Sequence, residues 1–174
     1  LDGNSYQPAW DAVDYDASGE LETYERVAKE SISLLAGEIP TIETSKKILV
    51  ASPLASSNLG VTAEVENSNS FAYVVYEELL AKGYTDVTWQ VYDPSDWWSA
   101  REIGDASWDY DCVIFAVGSV ESRRRMSFAD NAIFVSLTVP IDISRITGYI
   151  CYISAYGYEK ANVDAFIDCL INNR

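Results

Sequence analysis

The densest cluster of metal-type ligands lies near the start of the chain, where Asp14–Glu25 read DYDASGELETYE. All twelve places fit the calcium-loop pattern D-x-D-x-S-G-x-L-x-x-x-E. Asp14, Asp16 and Ser18 would offer side-chain oxygens, Glu20 its carbonyl, and Glu25 a bidentate carboxylate. Gly19 stands at the sharp turn and Leu21 at the hydrophobic anchor. Against a calcium hand, Arg26 occupies a normally apolar place, little room precedes the loop for a helix, and no second hand follows. The competing reading makes the segment an acidic helix start, with Asp16 or Ser18 as the cap and the acids favoured by the helix dipole. Both readings stand at this point.

Other chemistry is limited by what the chain lacks. There is no histidine among the 174 residues, so Ser-His-Asp and Cys-His catalysis and histidine-based zinc sites are excluded. Cys112, Cys151 and Cys169 form no CxxC, and their odd number and apolar surroundings predict buried free thiols. The serine- and glycine-rich SPLASSNLG after the first strand, beginning at Ser52, matches neither GxGxxG nor a P-loop, and Pro53 removes an amide that a phosphate loop would use. No aspartate ends the third strand, where Gly118 and Ser119 stand, which excludes a phospho-acceptor site there. Trp97, Trp98 and Trp108 could stack on a sugar ring, but their spacing is expected of core residues. Tyr156 and Tyr158, at the carboxyl end of a strand, are the better candidates for an exposed aromatic platform. The run Arg123–Arg125 reads as a solvated loop.

Twenty-seven acidic against twelve basic residues give a formal charge of −15, which repels nucleic acid and anionic membranes. No apolar run is long enough for a transmembrane helix, and no secretory signal pattern is present. Residues 1–45 carry ten acids and two bases, an acidic lead-in before a more balanced body. The chain begins with Leu1, which fits a processed product or a fragment.

These side chains must be positioned by alternating strands and helices. Leu21, Tyr24, Val27, Ala28, Ile32 and Leu35 recur at helical steps, predicting a helix over Leu21–Leu35 that Gly37 and Pro40 stop. Ile48–Ala51, Val87–Tyr92, Cys112–Val117, Ala132–Leu137 and Tyr149–Ile153 read as strands. A helix over Ser70–Lys82 would turn Phe71, Val74, Val75, Leu79 and Leu80 inward. Another covers Glu159–Asn173, with a short segment near Trp97–Ile103 capped by Ser95 or Asp96. Continuous apolar strands covered on both faces predict an α/β fold, a three-layer α/β/α sandwich with a mostly parallel sheet of five or six strands. The link from Val117 to Ala132 is short for a crossover helix. The division expected is 1–45 as acidic segment and lead-in helix, and 46–174 as the sandwich.

Four segments in order carry a resemblance. They are YERVAKESISLL (Tyr24–Leu35), KKILVASPL (Lys46–Leu54), VSLTVPIDI (Val135–Ile143) and YICYISAYGYEKANVDAFIDCL (Tyr149–Leu170). Together they resemble the C-terminal sandwich domain of glycoside hydrolase family 3, particularly its β-N-acetylglucosaminidase-like branch. Pro140-Ile141-Asp142-Ile143 matches a "PyDl" element with Ile for the aromatic. Ala155-Tyr156-Gly157 matches the following loop, and Ala165 with Leu170 the closing helix.

The resemblance implies a nucleophilic Asp on a separate (β/α)8 barrel and, in this branch, a His-Asp acid/base on a barrel loop. Neither motif occurs in this chain, so no catalytic residue is assigned here. It implies a non-catalytic accessory domain that packs on the barrel and shapes its active site, within an enzyme cleaving β-glucosides or N-acetylhexosaminides. The loops after Ala51, Gly118 and Leu137 would face the barrel, or a second copy of the chain where the barrel is absent. The rival reading is a stand-alone carbohydrate- or calcium-binding module. A hydrolase working through carboxylates alone is a third, but no pair flanking a glycosidic bond can be named.

Overall fold

The computed structural model describes residues 17–54, 70–118, 126–138, 144, 146–157 and 159–172. In chain order the elements are α1 (Ala17–Ser31), β1 (Ser33–Gly37), β2 (Lys47–Pro53), α2 (Phe71–Ala81), β3 (Asp86–Tyr92) and α3 (Trp97–Ala106). A 3-10 turn (Ser107–Asp109), β4 (Cys112–Val117), β5 (Met126–Ser136), β6 (Ile146–Ser154) and α4 (Lys160–Asn172) follow.

The six strands form one sheet in the order β1-β6-β5-β4-β2-β3. The pairs from β6 across to β3 are parallel, and only the edge strand β1 runs antiparallel, against β6. Side-chain alternation splits the apolar runs between two faces. Ile48, Val50, Ile114, Ala116, Ile133, Val135 and Ile153 pack with α2 and α4, where Phe71 meets Phe166 at 5.6 Å. Leu49, Ala51, Val113, Phe115, Phe134 and Tyr152 point the other way, towards Ala100 and Ile103 of α3. That second face is stitched by ring contacts, Tyr92 to Phe115 at 5.0 Å and Phe134 to Tyr152 at 5.5 Å. Burial on both faces explains why β2 and β4 show almost no polar alternation.

Capping is local and explicit. Ser70 accepts from the Tyr73 amide to start α2, and Asp96, rather than Ser95, accepts from the Trp98 amide to start α3. Val117 and Met126 are separated by too few residues for a crossover helix. The second face is completed instead by Met126, Phe128 and Ile146, from the amino-terminal ends of β5 and β6. There β5 holds extra residues between Ser127 and Ala132, opposite Thr147 and Tyr149. Asp130 (φ 57°) and Gly148 (φ 79°) turn the backbone at this irregularity. A side chain at Gly148 would run into the Phe128 carbonyl, so the pairing of these two strands needs glycine there.

Four expectations are corrected. The predicted Leu21–Leu35 helix starts earlier and ends at Ser31, and residues 33–37 are the sixth strand, so the sheet draws on the segment assigned to the lead-in. Ser31 Oγ donates to the Ala28 carbonyl and Ser33 Oγ to the Ser31 carbonyl, bonds that compete with the helical ladder, while β6 offers an open edge beyond. Among the described side chains of α1 only Ala28 is buried; Tyr24 is 44% and Val27 55% exposed, so this part of the stripe is not a core face. Trp98 and Trp108 are 62% and 76% exposed, not core: the short α3 spends its inward positions on Ala100 and Ile103, and Trp108 stands in the 3-10 turn, which buries Ser107 instead. Arg101 lies over the Trp98 ring at 5.4 Å. Leu80, predicted inward on α2, is also exposed.

Candidate functional site

In an open parallel sheet the strand carboxyl ends are where ligands are met. Here those ends carry small polar residues that are already spent. Ser52 Oγ accepts from the Ala72 amide at 3.1 Å and donates to the Pro53 carbonyl. Ser136 Oγ and Ser154 Oγ bond each other at 3.0 Å, both fully buried. The Tyr92 hydroxyl donates to the Ala116 carbonyl at 2.8 Å. The Ser136–Ser154 and Tyr92–Ala116 bonds tie strand ends to one another, and Ser52 ties the end of β2 to the start of α2. Asp93, just past β3, is held below the usual carboxylate range by hydrogen bonds from the Ser95 hydroxyl and amide. Its role is to close the turn into α3.

The exception is the connection from β6 to α4. Asn162, buried in the first turn of α4, donates Nδ2–H to the Ala155 carbonyl at 3.0 Å. The backbone of Gly157 lies against that same carboxamide, where a Cβ would stand 2.5 Å from Asn162 Oδ1. Between the two, Tyr156 takes a left-handed conformation (φ 50°) and is 45% exposed. A bulky residue adopts that region only when its surroundings impose it, and Asn162 supplies the constraint. The ring of Tyr156 is thereby presented outward from a fixed loop.

Facing this loop across a cleft of about 390 Å³ is α1, with Tyr24, Val27, Ala28 and Ser31 on one wall and Tyr156, Gly157, Glu159 and Asn162 on the other. Partial burial, and then the nearby Glu159 charge, raise the Tyr24 phenol above its ordinary value. The cleft therefore joins two half-exposed aromatic rings, an apolar floor and a carboxylate. Tyr156 is legible in the sequence as a candidate, whereas Tyr24 reads there only as part of an apolar helical stripe. Nothing there singles out Glu159 or Asn162, beyond the place of an asparagine seven residues after Ala155, at a strand-to-helix junction.

The remaining expected site residues fall either outside the described residues or on α1. Tyr158, Asp14, Asp16, Arg123–Arg125, Pro140 and Asp142 lie outside the described residues. Ser18, Glu20 and Glu25 are all within α1. In a helix, Ser18 and Glu25 are separated by about 10 Å along the axis, and the Glu20 carbonyl points into the helical ladder. A calcium loop would need this stretch open, whereas its described part, from Ala17 onward, is helical. Among the described residues no group of three or more metal-ligating side chains is found.

No Asp or Glu is buried among the described residues. The three cysteines are buried and free; desolvation pushes the Cys112 and Cys151 thiols up to about 12 and raises Cys169 as well. These are packing residues, not nucleophiles.

Comparison with solved structures agrees with the architecture. The chain superposes over 99% of its length on a glycoside hydrolase family 3 β-N-acetylglucosaminidase from Paenibacillus sp. str. FPU-7 (TM-score 0.64, 18% identity), covering 34% of that chain. The chain has the fold of one part of that enzyme. A β-glucosidase from Listeria innocua, solved with isofagomine, is matched over 99% of this chain and 28% of its own (TM-score 0.60, 14% identity). A fungal multi-domain β-N-acetylglucosaminidase of the same family is matched over 90% of this chain and 18% of its own (TM-score 0.62, 14% identity). The chain thus spans about a third or less of these proteins. No family model matches it, and no curated protein does. The resemblance read from the four sequence segments holds at the level of fold.

Proposed function

We propose that this chain is a non-catalytic accessory domain of a family 3 glycoside hydrolase, of β-glucosidase or β-N-acetylhexosaminidase type, which packs on a (β/α)8 barrel and shapes that barrel's active site. The observation that carries this reading is coverage: nearly the whole chain is accounted for by one part of much longer glycosidases. The chemistry supports the same division. Glycoside cleavage needs an acid and a nucleophile or base on either side of the bond, and several described carboxylates are engaged in caps, turns and ion pairs. Lys160, for example, bridges Glu78 and Asp164 at 2.8 Å each, tying α2 to α4. In this role Tyr156, with Tyr158 beside it in sequence, belongs to the substrate rim. A stand-alone binding module draws no support from the comparisons, whose members named above are enzymes.

Two measurements test the proposal. The native gene product, detected with antibody against this chain, is expected to be far larger than 19.3 kDa. The isolated chain is expected to leave aryl β-glucosides and aryl N-acetyl-β-glucosaminides uncleaved. A native product of this length, or turnover abolished by replacing a single carboxylate of this chain, would overturn it.

A further inference from the structure

We propose that the cleft between α1 and the Ala155–Gly157 loop is a saccharide-contact site, in which the ring of one neutral pyranose unit stacks on Tyr156 while Tyr24 and Glu159 take its hydroxyls. The class of ligand rests on the accessory-domain reading; the site itself rests on this chain's geometry.

Four observations converge on it. The cleft's volume, about 390 Å³, falls in the range of small-ligand sites and fits one or two sugar rings. Its aromatic walls come from separate elements, α1 and the β6–α4 loop, and both rings are nearly half exposed although tyrosine faces are usually covered. The loop wall is built rather than incidental: Asn162 fixes the Ala155 carbonyl, the Gly157 backbone fits against Asn162, and Tyr156 is held in a strained conformation that turns it outward. Finally, the polar groups suit hydroxyls. Glu159 is an acceptor for two neighbouring hydroxyls of a ring, and a phenol can both donate and accept. Val27 and Ala28 provide an apolar floor for the ring's C–H face.

Charge narrows the ligand. Among the described residues, the polar and charged groups facing the cleft include Glu159, Tyr24 and Tyr156, and its lining holds no lysine or arginine. Together with a net charge of −15, this excludes phosphorylated or uronic sugars and leaves neutral ones. A small organic cation is the one rival that two tyrosines and a carboxylate could also hold, and the test is arranged to separate it.

The full chain, labelled with nitrogen-15, is titrated with cellobiose, with N,N′-diacetylchitobiose and, separately, with tetramethylammonium chloride, while amide shifts are followed. Saturable shifts from a disaccharide, at residues 155–162 and along the facing side of α1, are expected. Tyr156→Ala should weaken binding about tenfold, the size of one lost stacking contact, and Tyr156→Phe should retain most of it. Tyr24→Phe provides a second, milder variant that leaves the strained loop untouched. No shift with either disaccharide overturns the site, as do shifts indifferent to both tyrosines. Saturation by tetramethylammonium but not by sugar overturns it in favour of a cation cage. A chain that binds neither disaccharide yet proves to be part of a longer glycosidase removes this cleft and leaves the accessory role standing; sugar binding by a chain made alone does the reverse.

Discussion

The clamp that presents Tyr156 can be broken by adding one carbon atom. In Gly157→Ala the new Cβ would lie 2.5 Å from Asn162 Oδ1, 2.6 Å from Cγ and 3.0 Å from Nδ2. Ordinary van der Waals contact begins near 3.4 Å, so the carboxamide must retreat by almost an ångström. It has nowhere to go at no cost. Asn162 is 7% exposed, and its Nδ2 already donates to the Ala155 carbonyl at 3.0 Å, so the retreat stretches that bond past the hydrogen-bonding limit. The Ala155 carbonyl is then left short of a partner in a buried setting. Loss of such a bond costs about 1–3 kcal/mol, which for a chain of this size lowers the melting temperature by roughly 4–8 °C at the middle of that range.

The assay is a double-mutant cycle followed by thermal or urea unfolding. Asn162→Ala alone removes the same bond and should be destabilised by a similar amount. On that background the clash is gone, and Gly157→Ala should be neutral or slightly stabilising, since it restricts the unfolded chain. The coupling should therefore be about as large as either single effect. Strict additivity, or a Gly157→Ala variant as stable as the parent, would refute the argument that Asn162 and Gly157 form one constraint.

Three further outcomes follow from the same structure. The folded state keeps Cys112 and Cys151 protonated to about 12, against an ordinary value of 9.0, so the unfolded chain loses these protons first. Stability should be full below pH 9 and fall as pH rises from 9 towards 12, with a shallower fall in Cys112→Ala and Cys151→Ala; melting curves across that range check the sign. Gly148→Ala forces a side chain into the Phe128 carbonyl at a φ of 79°, and should reduce the soluble folded fraction far more than Gly83→Ala, where nothing lies within 4 Å. Because α1 begins at Ala17, calcium and a chelator should give superimposable melting curves; a calcium-dependent rise removed by Glu25→Gln would show that the segment opens into a loop.

The central strands were legible because burial on two faces writes itself as an uninterrupted apolar run, and Cys112–Val117 is read with the same bounds in sequence and structure. The strand over residues 33–37 was not legible, because its reason is distant. It forms where the β6 edge is open, over 100 residues along the chain, while its own Leu34 and Leu35 also complete a helical repeat. Local hydroxyl-to-carbonyl bonds of Ser31 and Ser33 decide the contest, and no periodicity reports them. The site was half legible for a similar reason. Tyr156 stands at a strand end in the sequence, but Tyr24 meets it only after α1 packs beside α4, and the clamp by Asn162 is a matter of three-dimensional contact.

An apolar stripe states which side of a helix avoids water but not what covers it. On α1 the stripe of Tyr24 and Val27 is real, yet among its described side chains only Ala28 is sealed by this chain, and the next strand leaves Leu34 and Leu35 at 46% and 41% exposure. Four large apolar side chains within a dozen residues are thus half open, in a molecule whose central strands are fully closed on both faces. A domain that folds only for itself gains nothing by leaving such a stripe in water, at about 25 cal/mol for each Å² exposed. A domain that works against a larger neighbour does gain, since Leu34 and Leu35, outside the Tyr24–Tyr156 cleft, then contribute to association. The uneven closure of this chain, tight at the sheet and loose along α1 and β1, is what the accessory reading requires of its physics.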